Sequence, residues 1–184
     1  MNPSGQNVSK EFHAPVFLFT GNGKGKTTAA LGMALQAAGC GEKCMVIQFM
    51  KARPYSELDA VRRLAGLVVI EQHGSPDFCV PDEKNLAHHR AFAASGLARA
   101  HQALADPAFS LVILDEIVTA LYFTLVTLDE IKALIAAKQD RQALVLTGRY
   151  APPELVDLCD GATEMAEVRH YYAAGVEARK GIEM

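Results

Sequence analysis

Thr20-Gly21-Asn22-Gly23-Lys24-Gly25-Lys26-Thr27-Thr28 follows the apolar run Val16-Phe17-Leu18-Phe19 and precedes Ala29-Ala30-Leu31-Gly32-Met33-Ala34-Leu35. Three glycines and two lysines therefore sit where a strand hands over to a helix. Glycines let backbone N–H groups converge with no side chain in the way, the helix N-terminus adds the positive end of its dipole, and Lys26 adds a full charge. The stretch reads as a triphosphate-binding loop formed by Gly21, Asn22, Gly23, Lys24, Gly25, Lys26, Thr27 and Thr28, with the Thr27 hydroxyl placed to ligate Mg²⁺. The pattern G-x-x-x-x-G-K-[ST] is met except at its first position, where Thr20 replaces glycine. A glycine-rich turn that merely joins strand to helix is the alternative.

On either side of this loop, short apolar runs alternate with longer helical patterns. Strands are expected at Val16–Phe19, Met45–Phe49, Leu67–Glu71, Leu111–Leu114 and Ala143–Leu146, with a weaker one near Ala162–Ala166. Leu86, Ala93, Leu97, Ala100 and Leu104 share one stripe, which makes 83–105 an amphipathic helix ended by Asp106-Pro107. A second helix is expected over Leu128–Lys138, with Thr127 and Glu130 as a capping box, and Pro152-Pro153 opens a short third one. The order predicts an α/β fold: a single P-loop NTPase-like domain over 16–184, its mainly parallel sheet covered by helices on both faces. The polar residues 1–15 are expected to form a flexible leader.

Half of the 184 residues are apolar, enough for a substantial core. A net charge of −3 with no basic run argues against nucleic-acid binding. No apolar stretch approaches the roughly 18 residues of a membrane span. Cys40, Cys44, Cys79 and Cys159 form no C-x-x-C pair and the first residues hold no hydrophobic signal core, so reduced thiols in the cytoplasm are expected.

Leu111-Val112-Ile113-Leu114-Asp115-Glu116 has the form of a strand ending at a metal site beside the phosphate loop. Buried carboxylates are costly unless paired or metal-bound. Asp115 is read as holding Mg²⁺ through water, and Glu116 as assisting it or orienting a reacting group. The alternative is that both acids cap the next helix. Arg149 in Thr147-Gly148-Arg149 either reaches a phosphate or carboxylate or is an ordinary surface arginine, and Lys51 and Arg53 either contact an anionic ligand or are solvated charge. His88-His89 are adjacent on a helix and cannot chelate one metal, while His73 and His170 fall in expected loops without complementary ligand spacing.

In order, the phosphate loop, Gln48-Phe49-Met50-Lys51, Leu104-Ala105-Asp106-Pro107, Val112-Ile113-Leu114-Asp115-Glu116, Leu146-Thr147-Gly148-Arg149 and Ala174-Gly175-Val176-Glu177-Ala178-Arg179-Lys180-Gly181-Ile182-Glu183 closely resemble the P-loop ATP:corrinoid adenosyltransferases. The likeness runs from Val16 to the C-terminus, and its most specific parts are Thr20–Thr28 and Lys180-Gly181-Ile182-Glu183. It implies transfer of the 5′-deoxyadenosyl group of ATP to a cobalt(I) corrinoid, cobalamin or cobyrinic acid a,c-diamide, with release of triphosphate. Lys26 and Glu116 would then be catalytic, Lys51 and Arg53 corrinoid contacts, and the cobalt itself the nucleophile. A homodimer and a reduced flavoprotein electron donor are further implications.

Members of that family commonly carry a Gly-Phe-Thr-Trp stretch whose rings help displace the lower axial ligand of cobalt. This chain has no tryptophan and reads Gly74-Ser75-Pro76-Asp77-Phe78-Cys79-Val80 in the corresponding region. Phe78 is either the apolar wedge or a buried loop anchor. A small-molecule P-loop kinase or ATPase, and a non-catalytic corrinoid-binding module, are the competing functions.

Overall fold

A computed structural model of the chain describes residues 13–76, 81–82, 84–169, 179 and 181–182. Along the chain run β1 (Val16–Thr20), α1 (Lys26–Gly39), β2 (Lys43–Phe49), α2 (Ser56–Val61), β3 (Val68–His73) and α3 (Leu86–Ala105). They are followed by β4 (Phe109–Asp115), α4 (Ile117–Tyr122), α5 (Leu128–Ala137), β5 (Ala143–Thr147), α6 (Pro153–Val156) and β6 (Gly161–Glu164). The strands form one parallel sheet in the order β3-β2-β4-β5-β1-β6.

The apolar runs are strands because alternate residues bury on opposite faces. Leu18, Met45, Ile47, Phe49, Val112, Leu114, Leu144 and Leu146 pack against α3, α4 and α5 on one face. Cys44, Val46, Leu111, Ile113 and Val145 meet the alanine stripe Ala30, Ala34 and Ala38 of α1 on the other. Small side chains on that stripe let α1 lie close to the sheet, which fixes its N-terminus at the carboxyl end of β1.

The capping box is present in full: the Glu130 amide donates to the Thr127 hydroxyl, and Glu130 Oε2 accepts from the Thr127 amide. The expected stripe on α3 is buried at Ala93, Leu97, Ala100 and Leu104. Two helices went unanticipated. Helix α2 buries no residue, so it lacks an apolar period, and α4 is six residues whose start, Ile117-Val118, reads like a continuing strand. His73 lies at the end of β3 rather than in a loop, because β3 extends two residues past Glu71 in register with Gln48 and Phe49.

Candidate functional site: a cationic cavity at the carboxyl edge of the sheet

Four adjacent strands end on the same edge, and each leaves the sheet through a positive φ. Gly21 (φ 94) follows β1, Met50 (φ 58) follows β2, Glu116 (φ 62) follows β4 and Gly148 (φ 145) follows β5. For Met50 and Glu116 this conformation costs on the order of 1–2 kcal/mol each, strain of a kind concentrated at functional sites. The four abrupt exits open a cavity of about 500 Å³. Gly23–Thr28, Lys51, Tyr55, Ser56, Glu57, Glu116 and Arg149 line it, together with Gly181 and Ile182.

The loop after β1 is shaped from behind. Thr20, where a glycine was expected, is still strand: it pairs with Glu164, and its hydroxyl accepts the Ala151 amide at 3.4 Å. The chain past β6 then runs along the loop, with Met165 N donating to Thr20 O at 2.8 Å and Gly23 N donating to Met165 O at 2.7 Å. A Cβ on Gly21 would stand 2.5 Å from Met165 O, and one on Gly23 would stand 2.7 Å from the carbonyls of Met165 and Ala166. These two glycines are thus required by the Met165–Ala166 backbone. Gly25 is required by its φ of 112 at the cap of α1.

Lys26 is only 6% exposed, and its ammonium donates to the carbonyls of Gly21 (2.6 Å) and Gly23 (2.8 Å). Burial lowers its pKa below the ordinary lysine range; Glu116 and Asp115 oppose that shift and Arg149 adds to it. The cation is therefore desolvated, and it shares the cavity lining with two further cations, Lys24 and Arg149.

Asp115, fully buried, is the centre of a polar cluster. Its Oδ1 accepts the hydroxyls of Thr27 (2.9 Å) and Thr147 (2.7 Å). Its Oδ2 accepts the Gln48 amide (3.2 Å) and the Lys51 ammonium (2.8 Å). Gln72 donates to Gln48 Oε1 at 3.0 Å, carrying the network to the edge strand β3. Burial works against the Lys51 charge, but Asp115, through its charge and hydrogen bond, and Glu116 and Glu57 outweigh it, so the Lys51 pKa is raised.

Glu116 stands at the N-cap of α4. Its amide donates to Thr147 Oγ1 at 2.9 Å, and its carboxylate accepts the Thr119 hydroxyl. Glu116 thus holds the N-cap position without a side-chain capping bond and stands on the cavity wall, while Asp115 is the last residue of β4, so the two acids do not both cap the helix. Thr119 Oγ1 also accepts the Arg149 amide at 2.9 Å, which fixes the turn presenting Arg149.

The structure gathers Gly23, Lys24, Gly25, Lys26, Thr27, Thr28, Lys51, Glu116 and Arg149 on the cavity, with Asp115 directly behind. Arg53 is exposed and lies outside the lining, as do Gly21 and Asn22. Phe78, Cys79 and His170 lie outside the described residues. Sequence reasoning missed Thr147 and the part of Gln48 in the network, though a polar residue inside a strand buried on both faces is a readable signal. It also missed Met165–Ala166, whose contact with the loop leaves no local trace.

For Mg²⁺ the donor set is oxygen throughout: the Thr27 hydroxyl, the Asp115 carboxylate and, nearby, Glu116. Among the described residues no group of three or more His, Cys, Asp or Glu is arranged to hold a metal. One or two protein oxygens completed by phosphate and water suit Mg²⁺, which keeps much of its hydration, so the residues fit the ion as part of a nucleotide complex.

Comparison with known proteins agrees with this geometry. A KaiC-like protein from Pyrococcus horikoshii superposes with a TM-score of 0.50 at 15% identity, covering 84% of this chain and 73% of that one, which is a likeness of fold. A corrinoid adenosyltransferase of Pseudomonas aeruginosa is 37% identical over 91% of this chain and 82% of its own length. Corrinoid adenosyltransferase CobA of Salmonella typhimurium is 32% identical over 95% of this chain and 88% of its own length. Residues 13–184 match the family model described as ATP:corrinoid adenosyltransferase BtuR/CobO/CobP. With nearly its whole length matched, the chain belongs to the ATP:corrinoid adenosyltransferase family.

Proposed function

We propose that this chain transfers the 5′-deoxyadenosyl group of ATP to a reduced corrinoid and releases triphosphate. The observation that carries the reading is the convergence of Lys26 from α1, Lys51 beyond β2 and Arg149 beyond β5 on one cavity, at the mouth of the glycine-rich loop that opens α1. The cobalt(I) substrate attacks C5′ of the ribose, the C5′–O bond breaks, and its electron pair leaves with the triphosphate. The protein's task is then to bind a triphosphate that gains one further negative charge as it departs. Lys24, Lys26 and Arg149 stabilise charge as it builds there, Lys26 from a buried position and Lys24 and Arg149 from the exposed rim.

Mg²⁺ is part of the proposal: Thr27 and Asp115 would hold it, with Glu116 beside it, and it would neutralise charge on the phosphates. Phe78 as an apolar wedge against the corrinoid, Arg53 as a contact, a homodimer, a reduced flavoprotein donor and a cytoplasmic setting belong to the same reading. Among the described residues no helix is long and apolar enough to cross a membrane.

Product analysis tests the core of it. Incubation with ATP, Mg²⁺ and chemically reduced cobalamin should yield inorganic triphosphate and a light-sensitive cobalt–carbon bond in equal amounts. ADP as the sole product would assign the cavity to a kinase or ATPase, and binding without turnover would assign it to a carrier.

A further inference from the structure

Asp115 is saturated. Thr27, Thr147, Gln48 and Lys51 each donate to it, and a carboxylate has about four lone-pair sites. Nothing is left for a metal ion or its water unless one donor leaves. Gln48 and Thr147 are fully buried within β2 and β5, and Thr27 is fixed on the first turn of α1. Lys51 alone reaches Asp115 on a flexible four-carbon stem, from a position lining the cavity. Its ammonium also stands 3.4 Å from Thr27 Oγ1, so it touches both oxygens suited to the magnesium ion. The backbone that bears it is held in place, because the Gly74 backbone packs so closely that a Cβ there would lie 2.4 Å from the Lys51 nitrogen.

We propose that Lys51 is a place-holding cation: in the nucleotide-free protein its ammonium occupies the cation position between Asp115 and Thr27, barring a divalent ion from entering alone. When the ion arrives with a nucleotide it takes the Asp115 side, and the released ammonium turns to the triphosphate. Charge is balanced in both states. Asp115 and Lys51 neutralise each other before loading; afterwards the divalent ion faces Asp115 and Lys51 joins Lys26 and Arg149 around the phosphates. Lys51 is thus a positioning residue that couples metal entry to nucleotide entry. The inference rests on reading the cavity as a metal–nucleotide site and is independent of adenosyl transfer.

Mn²⁺ binding to the full-length protein, followed by the electron paramagnetic resonance signal of the free ion, tests it without corrinoid. Nucleotide-free Lys51→Met should bind Mn²⁺ about tenfold or more tightly than the unmodified protein, since a competing charge is gone. Mn²⁺ should raise the melting temperature of Lys51→Met and leave that of the unmodified protein unchanged. Lys51→Arg should keep the exclusion, and Asp115→Asn added to Lys51→Met should abolish the gain. With ATP present the order should reverse, Mn²⁺–ATP binding more weakly to Lys51→Met. Mn²⁺ affinity in nucleotide-free Lys51→Met equal to or below that of the unmodified protein overturns the proposal. Should Lys51→Met not fold, Lys51→Gln carries the same comparison. A failed product assay leaves these readouts intact, whereas absence of any Mn²⁺–ATP binding to the unmodified protein removes the underlying nucleotide reading.

Discussion

The amide of Gly23 donates to the carbonyl of Met165 at 2.7 Å, so the phosphate loop is hydrogen-bonded to the chain that leaves the edge strand β6. An alanine at Gly23 would put its Cβ 2.7 Å from two carbonyl oxygens of that chain. Gly23→Ala is therefore expected to destabilise the protein by about 1–3 kcal/mol, the usual cost of overpacking, and to weaken ATP binding with it. Urea unfolding and nucleotide titration check both; unchanged values in both would show that the contact is not needed.

Lys26→Met removes a buried charge from the proposed triphosphate site while keeping most of the stem. By analogy with the loss of one oxyanion donor, turnover should fall by about 10²–10³. Single-turnover formation of triphosphate measures the step itself, separately from ATP affinity.

Thr147→Val removes a hydroxyl that donates to Asp115 and accepts from the Glu116 amide. The shape is kept, but a part-buried N–H loses its partner, which costs about 1–3 kcal/mol. Chemical denaturation should report that loss, and Thr147→Ser should recover most of it.

Burial pushes the His73 pKa below its ordinary value of 6.5; Glu71 opposes the shift and Arg99 adds to it. The unfolded chain takes up this proton at a higher pH than the folded one, so acidification through and below pH 6.5 pulls the equilibrium toward unfolding. One such group contributes a slope of at most about 1.4 kcal/mol per pH unit. His73→Gln should flatten the fall in stability as pH drops below 6.5, measured by denaturant midpoints.

Burial raises the thiol pKa of Cys44 and of Cys159 to about 11, while Cys40 is exposed. At pH 8 a maleimide should label Cys40 well before Cys44 or Cys159, since only the thiolate reacts. Peptide mapping after a short exposure shows the order, and equal labelling of all three would mean the core opens readily.

The parts of the fold legible in the sequence were those where one residue type has one use. Apolar runs too short for helices became the parallel strands, and the Thr127–Glu130 box started α5 where its chemistry demands. The glycine-rich loop between β1 and α1 was legible because glycines and lysines clustered there mark a strand-to-helix joint. The partner of Lys51 was not: a lysine after an apolar strand looks the same whether it meets solvent, a phosphate or a buried Asp115 sixty-four residues on. The same holds for Met165 and Ala166, whose influence on Gly21 and Gly23 passes through backbone atoms that every residue carries.

That backbone contact bears on what happens after the reaction. A loop moulded by Met165 and Ala166 is expected to keep its form whether or not phosphates fill it, so the mould should outlive each turnover. On the proposed role of Lys24 and Lys26, departure of the triphosphate is then simple dissociation, opposed by the same lysines that favour its formation. Accumulated product should compete with fresh ATP for the cradle, and the enzyme's pace in a closed vessel should slow until something else consumes the triphosphate.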